Sequence, residues 1–169
     1  DLRLSAAKCC FSIFETRSIR AMKIAVMLHL LGAVIWIGGM FFAYLCLRPA
    51  TSGLEPPQRL VLWAATLRRF FLWVWAAVAL ILGSGFYMLA TLAETGRIPI
   101  YVHLMLYIGV VMTLIFAYVF FSPFPTLRQA GATQDWQAGG AALNQIRIAV
   151  GVNLALGLVT IVVATAGAM

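Results

Sequence analysis

The sequence predicts an all-α integral membrane protein, a four-helix bundle with up-down-up-down connectivity. Three observations carry this. Of 169 residues, 63% are hydrophobic and only 10% are charged. A soluble chain of this length could not hide so much apolar surface, so the solvent is lipid. Four stretches (24–47, 70–92, 100–121 and 148–168) each reach the roughly 20 residues needed to cross about 30 Å of hydrocarbon. Each is apolar around its whole circumference, without the polar alternation of an outer-membrane strand.

The elements follow in order. Residues 1–21 read unlike the rest: they lack a starting Met, and their apolar residues are too few and broken to span. Met22-Lys23, directly before an apolar run, has the form of a start. Residues 1–21 are therefore expected to be a disordered or artefactual extension, and 22–169 a single membrane domain. Span 1 shows no small-residue cleavage site of a signal peptide. Between spans 1 and 2, Glu55-Pro56-Pro57 signals a helix start. Leu60, Val61, Trp63, Ala64 and Leu67 continue it up to Arg68 and Arg69, as a short interfacial helix. A tight turn around Glu94, Gly96 and Pro99 joins spans 2 and 3. After span 3, Ser122-Pro123-Phe124-Pro125 ends the helix, and Gly131 with Gly139-Gly140 is expected to make the middle of that loop mobile. Such short links make successive spans antiparallel neighbours.

The net charge of +7 could suggest nucleic acid, but the arginines are scattered at span ends, which is the membrane-anchoring pattern. Lys plus Arg number six on each side of the membrane when residues 1–21 are counted, and two against six without them. The second count puts both longer loops in the cytoplasm and both termini outside a bacterial inner membrane. Other classes lack their residues. Cys9 and Cys10 are adjacent and Cys46 stands alone, so no chelating spacing and no CxxCH exists. Gly-rich phosphate loops, HExxH and nucleophile elbows are also absent.

Two histidines, His29 and His103, are the only residues inside the spans that titrate near neutral pH, and an intramembrane group of this kind marks a functional site by default. They lie near the starts of spans 1 and 3, which run in the same direction, at depths that differ by only ~3 Å at 1.5 Å per residue. His29, Gly32, Trp36 and Gly39 share one helical face, and the small residues leave room beside the imidazole. His103, Tyr107 and Val110 share a face of span 3. Gly83-Ser84-Gly85 and the set Asn153, Gly157 and Thr160 read as close helix packing, with Asn153 as an interhelical hydrogen bond. Two neutral imidazoles facing each other in an apolar bundle suit axial ligation of haem. Copper competes, because imidazole and thioether suit it. Met27 and Met105 each lie two residues from a histidine, but i and i+2 point about 200° apart on a helix. Zinc would need more His, Cys or carboxylate.

The segment His29-Leu-Leu-Gly-Ala-Val-Ile-Trp36-Ile-Gly-Gly39-Met-Phe-Phe42 resembles the first helix of the CopD (copper-resistance D) family. The same His, Trp and Gly steps, with Tyr101-Val-His103-Leu-Met-Leu at the start of span 3, are similar to the HemJ-type four-helix membrane proteins. The HemJ likeness implies haem-linked redox chemistry. Met105 stands where that type is expected to carry Lys, which speaks against protoporphyrinogen oxidation. The CopD likeness implies copper handling, although the sequence holds no Met-rich or Cys-rich relay.

The first functional reading is a haem b protein of the inner membrane. His29 and His103 are its axial metal ligands, Trp36, Gly32 and Gly39 shape the slot, and electrons pass to a membrane or periplasmic redox partner. The alternatives are copper transport or copper resistance, and a cofactor-free accessory subunit of a larger membrane complex. The last would dock through an exposed aromatic flank (Phe70, Phe71, Trp73, Phe116, Phe120). Homo-oligomerisation is open in all three.

Overall fold

The computed structural model describes residues 2–94, 96 and 98–167, with side chains from Arg17 onward. Arg3, Lys8, Cys9, Cys10 and Arg97, which entered the charge and cysteine arguments, have side chains outside the described residues, as does all of residue 168 at the end of span 4. The elements are α1 (Leu2–Phe42), a π-helical turn Ala43–Leu47, α2 (Arg48–Ala50), α3 (Pro56–Ala93), α4 (Ile100–Phe121), α5 (Pro123–Thr133) and α6 (Trp136–Gly167). Four helical stretches are long and apolar enough to cross a bilayer: Arg17–Ala50, Pro56–Ala93, Ile100–Thr133 and Trp136–Gly167. The chain is a four-helix membrane bundle, as its composition requires.

Two connections differ from expectation. The interfacial helix and span 2 are one helix, α3, because Leu60, Trp63 and Leu67 continue the buried face of Phe71, Val74 and Val78 without a break. The loop after span 3 is helical, not mobile. Pro123, Phe124, Leu127 and Ala130 bury one side of α5, Gln134 turns the chain at φ 58°, and Asp135 Oδ1 accepts from the Ala138 N–H at 3.0 Å to cap α6. Gly139 lies inside α6 because of what it touches: a Cβ there would fall 2.9 Å from Leu60 Cδ1 and 3.2 Å from Ala130 Cβ. A glycine that read as flexibility permits close approach of three elements.

The helices meet by setting large side chains on glycines, the packing mode available when lipid supplies no hydrophobic drive between helices. On the α1–α3 seam, Gly32 receives Ile81 and Gly39 receives the Phe70 ring. On the α1–α6 seam, Gly157 receives Ile37 and Gly151 receives Tyr44. Asn153 Nδ2 donates to the Met112 carbonyl at 3.1 Å, tying α6 to α4 as the sequence suggested. α1 packs chiefly on α3 and α4 chiefly on α6, while the backbones of α3 and α4 stay apart and meet through large rings.

The aromatic flank turns inward. Phe71 and Phe116 are 2% and 4% exposed, and Phe70 and Phe120 are half-buried. Phe71 sets its ring against Phe124 at 4.8 Å and Phe116 at 5.5 Å; Trp75 meets Phe116 at 5.1 Å. Of the five residues proposed as a docking flank only Trp73 is exposed. The others fill the half of the bundle nearer the arginine-rich loops, so the accessory-subunit reading loses its surface.

Candidate functional site

The other half of the bundle holds a cavity of about 380 Å³ whose wall includes His29, Trp36, Gly85, Gly109, Gly157 and Thr160. It lies where α3 and α4 diverge, with α1 and α6 behind it. That volume is in the range of small-ligand sites, and its lining is apolar apart from a few convergent groups.

His29 and the phenol of Tyr101 are the ionisable groups on that wall among the described residues. The Nδ1 of His29 lies 3.1 Å from Ser84 Oγ, and Ser84 in turn donates its hydroxyl to the Leu80 carbonyl one turn back. With its proton so used, Ser84 Oγ accepts, and His29 holds its own proton on Nδ1. That tautomer leaves the lone pair on Nε2. Gly85 makes room for the ring, since a Cβ there would stand 3.3 Å from His29 Cε1. Ser84 and Gly85, from the Gly83-Ser84-Gly85 run read from the sequence as packing, thus position the imidazole. Trp36, 3% exposed, closes the inner end of the cavity and rests edge-on against Phe116 at 6.1 Å. It serves as both core and site wall.

Four methionines line the same cavity: Met22 from α1, Met88 from α3, and Met105 and Met112 from α4. Sequence reasoning found Met105 only as a neighbour of His103 and missed the others. They are 66, 17 and 7 residues apart along the chain, so no local motif marks them. They also stand at different depths, Met22 before the apolar run of span 1 and Met112 in the middle of α4, so no shared level marks them either.

The remaining candidates lie elsewhere. His103 is exposed, with Nδ1 3.4 Å from the Pro99 carbonyl of its own first turn, and it is not part of the cavity wall. The reason is the choice of face on α4. Ile108, Met112, Phe116 and Val119 form the buried stripe, and Met105 extends it by one turn. His103, two residues from Met105, shares the outer face with Tyr107 (69% exposed), Val110 and Leu114. Gly32 and Gly39 face α3 and are filled by Ile81 and Phe70, so they shape a seam and not a slot. Met27, 59% exposed, points away as well. A haem held between His29 and His103 is not supported by this arrangement. No group of three or more His, Cys, Asp or Glu side chains that could hold a metal occurs among the described residues. Any metal taken up at His29 would rely on thioethers.

A family model described as copper resistance protein D matches residues 64–166, more than half of the chain. The match covers α4 with its Tyr101-to-Leu106 segment, and starts after the His29-to-Phe42 segment of α1. It supports the CopD side of the resemblance drawn from the sequence; the HemJ side has no match behind it. No curated protein and no solved structure matches.

Proposed function

The chain belongs to the CopD family of copper-resistance membrane proteins, and on that premise we propose that it handles copper within the bilayer, taking Cu(I) as cargo into the cavity at His29. The observation that carries this reading is the lining itself. One imidazole and four methionines share a single apolar cavity, and imidazole with soft thioethers is a donor set that suits Cu(I). His29 supplies Nε2 as its nitrogen donor, and Ser84 fixes the ring's tautomer and orientation from behind, as outer-shell partners of metal-binding histidines do. Among the described residues the wall carries no carboxylate, which disfavours hard divalent cations. Trp36 bars the way into the aromatic half. With the arginine-bearing loops in the cytoplasm, as the positive-inside count for residues 22–169 has it, the cavity lies in the outer half of the membrane.

The test is anaerobic Cu(I) titration of the purified protein against a chromophoric chelator, followed by copper flux in proteoliposomes. The expected result is stoichiometric retention that disappears in His29→Ala and persists in His103→Ala. Ser84→Ala should weaken affinity by about tenfold, the size typical of a lost outer-shell contact. Copper retention equal in wild type and His29→Ala would sink the reading. A Soret band lost in His29→Ala would place haem in the cavity instead.

A further inference from the structure

The opposite end of the bundle carries a cluster of positive charge that copper handling does not use. Arg48 opens α2, Arg59 lies in the first turn of α3 and Arg147 lies on α6, and packing brings the three elements together. Tyr44 rests on Gly151, one turn beyond Arg147, and the Arg48 guanidinium lies 5.1 Å over the Tyr44 ring. The Arg147 guanidinium lies 5.8 Å over Trp63. Trp63 is buried and donates its indole N–H to Thr51 Oγ1 at 3.1 Å; Thr51 donates to the Arg48 carbonyl at 3.1 Å. The corner that bears Arg48 is therefore fixed against the ring that bears Arg147. Arg59 lies one turn before Trp63 on the same face of α3.

Interfacial arginines usually extend their heads to water. Here the Nε atoms of Arg59 and Arg147 are buried without a hydrogen-bond partner. Two acids serve this end of the bundle. Glu55 is exposed, and Asp135 is engaged in capping α6. Three like charges held together by packing, with buried N–H groups left over, call for an anion from outside the chain. Guanidinium forks match phosphate oxygens in geometry and charge, and basic pockets between membrane helices at the surface accept lipid headgroups.

We propose that Arg48, Arg59 and Arg147 form a binding site for a phosphate anion at the membrane surface, supplied by the headgroup of an anionic lipid, which clamps α2, α3 and α6 together.

The experiment uses the full chain in a neutral detergent, unfolded by heat and followed by tryptophan fluorescence, which Trp63 reports from beneath Arg147. Three arms are titrated at constant ionic strength: short-chain phosphatidylglycerol, phosphatidylcholine of the same chain length, and inorganic phosphate. A saturable rise in Tm with phosphatidylglycerol alone is the expected result. A rise with inorganic phosphate as well keeps the phosphate chemistry and assigns the source to the free anion. Arg147→Gln should weaken the apparent affinity about tenfold or more, the loss expected for a charge-assisted pair, whereas Arg128→Gln should leave it unchanged. Without lipid, Arg147→Gln should melt no lower than wild type, because a repulsion is removed. Should that variant fail to fold, Arg147→Lys keeps the charge and loses the fork, and it too should bind phosphatidylglycerol more weakly. No saturable rise in any arm, or equal affinity in wild type and the Arg147 variants, would overturn the proposal.

Discussion

Toward the arginine-bearing end, the space between the helices is filled by rings: Phe71, Phe116, Phe120, Phe124 and Trp75 meet at 4.8–6.2 Å, mostly edge to face. Toward the other end, the same helices enclose about 380 Å³ beside His29. Trp36 is the boundary between the two. The void next to Trp36 on the aromatic side is only about 10 Å³, so the change in packing happens across one side chain. Both halves are apolar and neither gains from the hydrophobic effect while lipid is the solvent. What separates them is contact: one half maximises dispersion between rings, and the other gives it up for a space that flexible thioethers line. A stable half and a receptive half are made from the same composition.

That contrast can be broken from either side, beginning with the largest effect. Phe71→Ala removes a ring in contact with four others and should cost about 3 kcal/mol of bundle stability. Met88→Ala, on the cavity wall, should cost under about 1 kcal/mol because its neighbours already border a void. Reversible unfolding in mixed micelles measures both, and equal losses would erase the distinction between the halves. Next, Gly39→Ala forces a methyl into the Phe70 ring and should cost about 2 kcal/mol by overpacking. Its neighbour Gly38, whose Cβ position has nothing within 4 Å, should accept Ala at no loss or a small gain, as helix propensity predicts. Trp63→Phe keeps the buried ring but removes the bond to Thr51, for about 1 kcal/mol in the same assay. The smallest effect has the opposite sign. Gly109 lines the cavity and has open space at its Cβ position, so Gly109→Leu should stabilise by about 0.5–1 kcal/mol while lowering copper retention, the usual exchange at a functional void.

Much of this was legible in the chain, and for identifiable reasons. The four spans follow from length and hydropathy alone, because a bilayer demands an unbroken apolar run. Asn153 as an interhelical hydrogen bond followed from the cost of polar atoms in hydrocarbon, and so did the need of His29 for a partner, which Ser84 meets. His103 passed the same test on sequence, since a residue at depth is conspicuous whichever way it faces. The glycines were ambiguous in another way. Gly139 suggested a mobile loop and Gly32 a cofactor slot, but both are contact points for Leu60 and Ile81. A missing side chain says that something comes close, without saying what.

The sequence by itself determined the solvent, the number of spans, their alternation and the residue types available for chemistry. These depend on sums over a segment, which neighbours cannot change. Tertiary structure alone decided which face of each helix looks inward. An all-round apolar helix such as α4 carries no stripe to orient it, and shape fit against α6 turned Met105 in and His103 out. The same fit put Met22, Met88, Met105 and Met112 on one cavity wall with His29, and set Arg147 over Trp63 and Arg48 over Tyr44. In each case the partners come from different helices, and only packing sets their distance.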